Sequence, residues 1–246
     1  MIGLIEWMPA ERGKRNLRMG ERSVLHMRFA CAELARGAKT PEAVLRRRVL
    51  AAAKRLHKAG VTRAVLPEGF PFREQLEKYG IRPVSTLSLR RALAADWVRA
   101  AMEEKGLSGG SAKLAVCAAQ LTGELVRTVT ELSLRNRYVL LDLPYGGEDL
   151  CRQLRREYGV SLLLGPAREQ VEGAEVLLLF DRREDLRRTN PVVLPLYEDE
   201  EAAVPPLALP PALEEQLPAG ADRGQMLAAL REAGAVRPGQ IAVGGP

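Results

Sequence analysis

The sequence predicts an α/β protein made of two β-α-β units with mostly parallel sheets, followed by a proline-rich C-terminal strap and a short helix. Short apolar runs alternate with segments of helical pattern, an order typical of parallel strands covered by helices on both faces. The order strand, Pro-Gly loop, helix, Tyr-Gly, strand also occurs twice, at 61–84 and 138–164. This repeat indicates two similar units, related by duplication or by convergence. A chain of 246 residues, 46% of them hydrophobic, can form one large α/β domain or two small ones.

The first unit is expected to begin with a strand at 2–8 and to continue with a second strand within 23–34. A helix should follow and run to Ala59. Thr40 has the side chain of an N-cap, and Pro41 suits the first helical position because its missing N–H has no partner there in any case.

The second unit contains the most informative segment. An apolar run at 114–119 is typical of a strand buried on both faces, and a tight turn at 120–123 leads into a helix at 124–136. A further apolar strand, 138–141, ends on Asp142.

This segment resembles a Rossmann-type NAD(P)-binding domain. In that family three glycines form the turn, admit the pyrophosphate and let the helix pack, while an acid further along binds the ribose. The glycine positions here hold Ala118, Gln120 and Gly123, and Asp142 has the place of the acid. Only the third glycine, whose family role is packing, is kept. Gln120 places a long side chain where a phosphate must approach, although its amide can donate to a smaller ligand.

The resemblance therefore implies a Rossmann-like unit with altered chemistry. We predict no bound cofactor. A degenerate NAD(P) site and a different α/β layout stay open as alternatives.

The glycine-rich segment 106–111 opens a strand rather than a helix, so we interpret it as a domain joint and not as a phosphate cradle. Apolar residues recur through the proline-rich stretch 192–209, which favours an ordered strap, with the acids at 198–201 in solvent. A last helix is expected at 225–234. The predicted divisions are an N-terminal α/β unit at 1–108, a Rossmann-like unit at 109–189 and a proline- and acid-rich extension at 190–246.

A ligand of an open α/β sheet binds beyond the carboxyl ends of its strands, where the strand order reverses. The polar residues expected there are predicted to form a binding site, with Glu68 facing the others from the first unit. The alternative is that they are solvated strand ends and turns. The candidate ligand-binding residues are Glu68, Gln120, Thr122, Gly123, Asp142 and Tyr145.

Charge and composition argue against a nucleic-acid partner. The net charge of +6 comes from many arginines, but no aromatic residues are interleaved with them as a nucleic-acid surface requires. A basic turn between the first two strands is either an anion-binding loop or a solvated hairpin tip. Its cations are Arg12, Lys14, Arg15, Arg18 and Arg22.

Cysteine and histidine usage predicts neither a metal nor a disulfide. Three separated cysteines, Cys31, Cys117 and Cys151, form no C-x-x-C pair, and neither His26 nor His57 lies near one in sequence. The sequence has no apolar run of membrane-spanning length and no signal-peptide pattern at its start. We therefore expect a cytoplasmic protein.

Two classes of function remain. The first is a non-catalytic binding or regulatory module for a small polar metabolite, a nucleotide or a partner protein. The second is a divergent nucleotide- or NAD(P)-dependent enzyme. No histidine, cysteine or lysine accompanies the candidate acids, whereas acid-base catalysis usually needs a group that titrates near neutrality. This favours the first class.

Overall fold

The computed structural model describes residues 1–10, 16–198 and 204–244. It contains two compact units, Met1–Thr86 with Leu207–Ile241, and Leu87–Pro206 with Ala242–Pro246. These divisions differ from the expected ones at 108/109 and 189/190. Helices ahead of residue 108 share a core with the strands that follow it, and a strand beyond residue 190 extends the same sheet.

The elements alternate as the sequence predicts. Residues 1–86 form β1 (Ile2–Pro9), β2 (Leu17–Val24), β3 (Met27–Arg36), α1 (Glu42–Lys58), β4 (Arg63–Val65), α2 (Arg73–Glu77) and β5 (Arg82–Pro83). Residues 87–206 form α3 (Leu87–Ala92), α4 (Ala94–Glu104), β6 (Lys113–Cys117), α5 (Gly123–Arg135), β7 (Tyr138–Asp142), α6 (Gly147–Tyr158), β8 (Leu163–Leu164), α7 (Arg168–Glu172), β9 (Val176–Leu179) and β10 (Val192–Pro195). The remaining residues form β11 (Leu207–Ala208), α8 (Pro211–Glu214), α9 (Arg223–Glu232) and β12 (Ala242–Val243).

The sheet of the first unit has the order β2-β3-β1-β4-β5. Strands β3, β1, β4 and β5 run parallel to one another, and β2 pairs antiparallel with β3 at the edge of the sheet. One face packs on α1 and α2 through a core that includes Ile5, Leu34, Val49 and Leu76. Helix α9 packs near β4, where the backbone N–H of Leu66 donates to Gln225 Oε1 at 3.0 Å.

Two local predictions in this unit are wrong. The single strand expected within 23–34 is a hairpin, because β2 turns back into β3 after Val24. Thr40 is not the N-cap of α1. Pro41 holds that position without a side-chain bond, and Thr40 Oγ1 instead accepts from the backbone N–H of Gly37 at 2.9 Å. The hydroxyl closes the preceding turn rather than the helix.

The sheet of the second unit is fully parallel, with the order β10-β9-β6-β7-β8. Numbered along the chain within this unit, the strands lie in the order 5-4-1-2-3, which is the order of Rossmann-like α/β folds. The prediction that 114–118 and 139–141 lie in central strands is confirmed. Helices α3 and α4 are separated at the buried Leu93, whose backbone has φ −102° and ψ 10°.

Both faces of this sheet are buried. Leu114 and Val116 point into a core formed with α4, α5 and α6, while Ala115 and Cys117 point into a second core with Val171 of α7. The start of the proline-rich stretch joins the sheet as β10, with Leu194 buried. Ordered structure is thus present in this part of the expected strap. The acids at 199–201 lie outside the described residues.

The repeated segments form β4-α2-β5 and β7-α6-β8, each a pair of adjacent parallel strands with a helix between them. They are preceded by different elements, since the first unit adds a hairpin strand beside β1. Duplication and convergence both stay open as the origin of the two repeated segments. Within the described residues, we find no helix that is both long and apolar enough to span a membrane.

The β2-β3 hairpin turn carries backbone strain. Leu25 and His26 have φ values of 46° and 68°, a left-handed conformation that favours glycine and asparagine. We expect His26→Gly to raise the free energy of unfolding by about 1 kcal/mol, because relief of strain exceeds the added entropy of the unfolded chain. Thermal melting should show an increase of about 2–4 °C. His26→Ala keeps a Cβ and should show no such gain.

Strand β10 should be essential to the second unit. Leu194→Ala removes a side chain that is 4% exposed in the core, so we expect a loss of about 2–5 kcal/mol in chemical denaturation. Leu163→Ala on β8 makes the same chemical change at a side chain that is 48% exposed. It should cost only about 0.5 kcal/mol. Equal losses would show that β10 does not pack in this core.

Candidate functional site

The candidate site lies at the carboxyl edge of the sheet in the second unit. The chain passes from β6 to β7 on one side and later returns to β9 on the other, so the strand order reverses between β6 and β9. Loops leaving neighbouring strands separate at such a point, which is where open α/β sheets bind their ligands.

The loop after β6 binds a carboxylate of the chain itself. The backbone N–H of Ala119 donates to Asp181 Oδ2 at 2.6 Å, and Asp181 follows the end of β9. In a dinucleotide site the backbone of this loop faces the pyrophosphate. Asp181 therefore places a negative charge of the protein on a backbone donor of that loop.

The start of helix α5 has one backbone donor with an internal side-chain partner. Thr122 is its N-cap, and its Oγ1 accepts from the backbone N–H of Leu125 at 3.2 Å. Glu124 in the first turn adds an acid that suits the helix dipole, and Arg91 Nη1 lies 3.2 Å from its Oε2. The resemblance gives the glycine at position 123 a packing role, and in the structure a Cβ at Gly123 would meet no described atom within 4 Å.

Asp142 ends β7, as expected, and is half-buried beside an arginine. Arg183 Nη1 donates to Asp142 Oδ2 at 2.6 Å, and its Nε and Nη2 donate to the two carboxylate oxygens of Asp185 at 2.8 Å each. The hydrogen bonds to Asp185 are the main cause that raises the pKa of Arg183 above its ordinary value, and the hydrogen bond to Asp142 raises it further. The acid at the ribose position is thus held by an internal cation.

An exposed rim adjoins these groups. Tyr145 is 83% exposed and Gln120 is exposed, with Leu121 at 43%. Leu121 lies against the loop after β7, because a Cβ at Gly146, where φ is 79°, would stand 3.1 Å from Leu121 Cδ2. The turn after β6 therefore contacts the turn after β7.

Glu68 belongs to the first unit, where it follows β4. Its side chain is exposed, and its backbone N–H donates to the carbonyl of Gly220 at 3.0 Å. That it faces the residues of the second unit stays a prediction. The other five candidates, Gln120, Thr122, Gly123, Asp142 and Tyr145, all follow β6 or lie around the end of β7.

Cys117 is not an available nucleophile. It is fully buried at the end of β6, and burial, with the nearby Asp142 charge adding to it, raises the pKa of its thiol to about 12. A thiol reacts through its thiolate, so this raised pKa makes Cys117 inert near neutral pH. Both histidines of the sequence, His26 and His57, belong to the first unit.

One cluster was missed by the sequence reasoning. In the first unit, Glu6 of β1 and Cys31 and Glu33 of β3 bring one ligand atom each to within 4.8 Å of one another. The sequence expectation of no metal rested on the spacing of cysteines and histidines. The available signal was the C-x-E spacing in a strand, which places both side chains on one face.

The basic turn is only partly described. Arg12, Lys14 and Arg15 lie outside the described residues. Arg18 and Arg22 are on β2 and face Glu33 and Glu6, at 4.0 Å and 2.5 Å respectively. These two arginines are therefore ion-paired.

No protein-family model and no curated protein matches the chain. Solved structures with similarity include an N-acetyl-L-ornithine transcarbamylase, at 14% identity and TM-score 0.26 over 72% of this chain and 64% of that one. An L-tryptophan dehydrogenase from Nostoc punctiforme has 14% identity and TM-score 0.27, over 61% of this chain and 44% of that one. An NAD-complexed D-isomer specific 2-hydroxyacid dehydrogenase from Lactobacillus delbrueckii ssp. bulgaricus has 9% identity and TM-score 0.29, over 83% and 68%.

The chain spans 64% and 44% of the lengths of the first two proteins. Similarity this low assigns no family and carries no argument about activity. The α/β class rests on the strand order of the structure itself.

The Arg183 cluster predicts a specific acid sensitivity. The hydrogen bonds from Arg183 lower the pKa of Asp185 from 3.8 to about 2. A lowered pKa in the folded state gives stability that is present above the ordinary pKa and is lost as the pH falls from about 4 to about 2. In Asp185→Asn, the melting temperature should fall less steeply over this pH range than it does in the unmodified protein. Asp149→Asn, at an exposed acid of α6, should leave the slope unchanged, and equal slopes in all three proteins would contradict the assignment.

Proposed function

We propose that the chain is a non-catalytic binding or regulatory module whose second unit recognises a ligand at the carboxyl edge of its sheet. The ligand class we favour is a small polar metabolite, with a nucleotide or a partner protein as the wider alternatives. The proposal depends most on one observation, the hydrogen bond from the Ala119 backbone to the Asp181 carboxylate.

That hydrogen bond argues against a dinucleotide. A phosphate approaching the loop after β6 would meet the negative charge of Asp181 and would have to displace it from a charge-assisted bond of 2.6 Å. Gln120 adds a long side chain at the position where the family has a glycine. At the start of α5, which is the other anion-binding element of a dinucleotide site, Thr122 occupies the N–H of Leu125 and Glu124 adds a negative charge.

The available chemistry supports binding over catalysis. Histidine, the side chain whose ordinary pKa lies nearest neutrality, is absent from the second unit. Cys117 is buried with a raised pKa, and Arg183 is held by two carboxylates. The edge offers hydrogen-bonding groups, including the amide of Gln120 and the hydroxyl of Tyr145, while its acids Asp142 and Asp181 are already held by Arg183 and by the Ala119 amide.

The alternative of a partner protein as the ligand is supported by exposed apolar and aromatic side chains at the carboxyl edge of the sheet. Leu121 and Tyr145 are apolar or aromatic side chains left 43% and 83% exposed. Aromatic residues are enriched where proteins contact one another.

The second candidate is a divergent NAD(P)-dependent enzyme. Its support is the strand order β10-β9-β6-β7-β8 together with Asp142 at the end of the second strand of the unit. Both features belong to the layout of dinucleotide-binding domains. For this candidate, Asp181 and Arg183 would have to move before the cofactor bound.

Calorimetric titration with NAD(H) and NADP(H) distinguishes these candidates. We expect binding no tighter than roughly millimolar, equivalent to about 4 kcal/mol. Gln120→Gly improves affinity if the side chain alone excludes the cofactor. Because Asp181 remains on the Ala119 amide, we expect the single change to gain little and Gln120→Gly with Asp181→Gly to gain about tenfold or more.

Asp149→Gly combined with Gln120→Gly is the matched control, since it removes an exposed acid whose hydrogen-bond partner is Arg152 of the same helix. It should bind like Gln120→Gly alone. Micromolar binding of NAD(P) by the unmodified protein would reject the proposed module and favour the enzyme.

A further inference from the structure

The first unit contains a cluster of potential metal ligands that is separate from the carboxyl edge of the second unit. Strands β1 and β3 pair in parallel, with Glu6 opposite Glu33 and Leu4 opposite Cys31. Residues in register point to the same face of a parallel sheet. Glu6, Cys31 and Glu33 therefore share one face, and α1 and α2 pack on the other.

The ligand atoms are close to the spacing that a single ion requires. One atom from each residue lies within 4.8 Å of the others, and Cys31 Sγ is 3.4 Å from Glu6 Oε2. Tetrahedral zinc, with bonds of about 2.3 Å to sulfur and about 2.0–2.2 Å to oxygen, separates its ligands by about 3.3–3.7 Å. Side-chain rotation that moves the ligand atoms by about 1 Å is enough to bring them to this spacing.

The charges of the cluster also favour a cation. Two glutamates directly opposite each other on neighbouring strands repel one another unless a cation lies between or beside them. The side chain of Glu6 is 14% exposed, so water screens its charge poorly, while that of Glu33 is 40% exposed. An ion bound to all three groups would remove the repulsion.

Two arginines of β2, Arg18 and Arg22, supply the compensating charge in the structure. Arg22 Nη1 is 2.5 Å from Glu6 Oε1 and Arg18 Nη1 is 4.0 Å from Glu33 Oε2, with side chains 43% and 52% exposed. The Arg18–Glu33 pair, in which both side chains are at least 40% exposed, contributes little to stability. Gly20 stands opposite Cys31 on β2, and a Cβ there would meet no described atom within 4 Å, so there is space beside the thiol.

We propose that Glu6, Cys31 and Glu33 bind one divalent cation of the zinc class. The mixed set of a thiolate and two carboxylates suits a borderline ion better than magnesium or calcium, which take oxygen ligands only. This differs from the sequence expectation of no metal, which considered only cysteine-histidine sites.

Binding converts the Cys31 thiol into a thiolate. The S–H proton, which the thiol donates to Glu6, passes to solvent as the metal–sulfur bond forms, and no electron is transferred. Three protein ligands leave the fourth tetrahedral position for water or another small ligand, as in zinc sites that are not fully closed by protein.

Cadmium titration of the full chain, after treatment with a chelator, tests the site, because a cadmium-thiolate bond gives an ultraviolet charge-transfer band. We expect the band to saturate at one cadmium per chain and to be lost when zinc is added in competition. Cys31→Ser should abolish it. Cys151→Ser, the matched change at a half-buried cysteine of the second unit, should leave it intact.

Two further variants use residues whose side chains are more exposed, so that loss of folding does not decide the result. Glu33→Gln should weaken cadmium binding by about tenfold or more. Arg22→Gln should strengthen it severalfold, because the guanidinium no longer competes for Glu6. No saturable band, a band that survives in Cys31→Ser, or unchanged affinity in Glu33→Gln would overturn the proposal.

Discussion

Burial of β6 on both faces is the constraint on which the second unit depends. Leu114 and Val116 are fully buried on one face, and Ala115 and Cys117 are at most 1% exposed on the other. A strand buried in this way needs neighbours on both sides and helices above and below, which the chain supplies through parallel crossovers. Each fully buried Leu or Val contributes about 1.5–3 kcal/mol, so this arrangement is strongly favoured. A consequence is that β6, β7 and β9 all end at the same edge.

Polar groups that meet at this edge must be satisfied by a ligand, by water or by the chain. In this protein the chain supplies several partners itself. Asp181 accepts from Ala119, Thr122 accepts from Leu125, and Arg183 joins Asp142 to Asp185. The Rossmann-like strand order is thus retained while several polar groups at its carboxyl edge are occupied by side chains of the chain itself. A fold of this kind does not determine function, because function depends on the groups at the site.

The sequence predicts the buried elements well, since an apolar run such as 114–119 leaves little choice for a strand in a parallel sheet. The sequence does not predict strands in which the pattern of apolar and polar residues is weak. Strand β2 is mostly exposed and carries Arg18, Glu21 and Arg22, so it lacks an apolar face, and β10 lies within a proline-rich stretch. β2 forms a strand because it pairs with β3, and β10 forms a strand because it pairs with β9.

The candidate site shows the same limit. The place of Asp142 follows from the end of an apolar run, but its partner Arg183 is 41 residues away. Asp181 is likewise 62 residues from Ala119, and Cys31 is 25 residues from Glu6. Contacts at such separations depend on strand order, which the sequence pattern alone left undetermined.

The central claim is that Asp181 occupies the backbone donor of the loop after β6, and nuclear magnetic resonance tests it directly. A short hydrogen bond to a carboxylate shifts an amide proton downfield, and this shift changes when the acid is protonated. We expect the Ala119 amide signal to lie downfield at neutral pH, to move as one carboxylate titrates, and to lose this pH response in Asp181→Asn. An Ala119 signal with the same position and pH response in both proteins would contradict it.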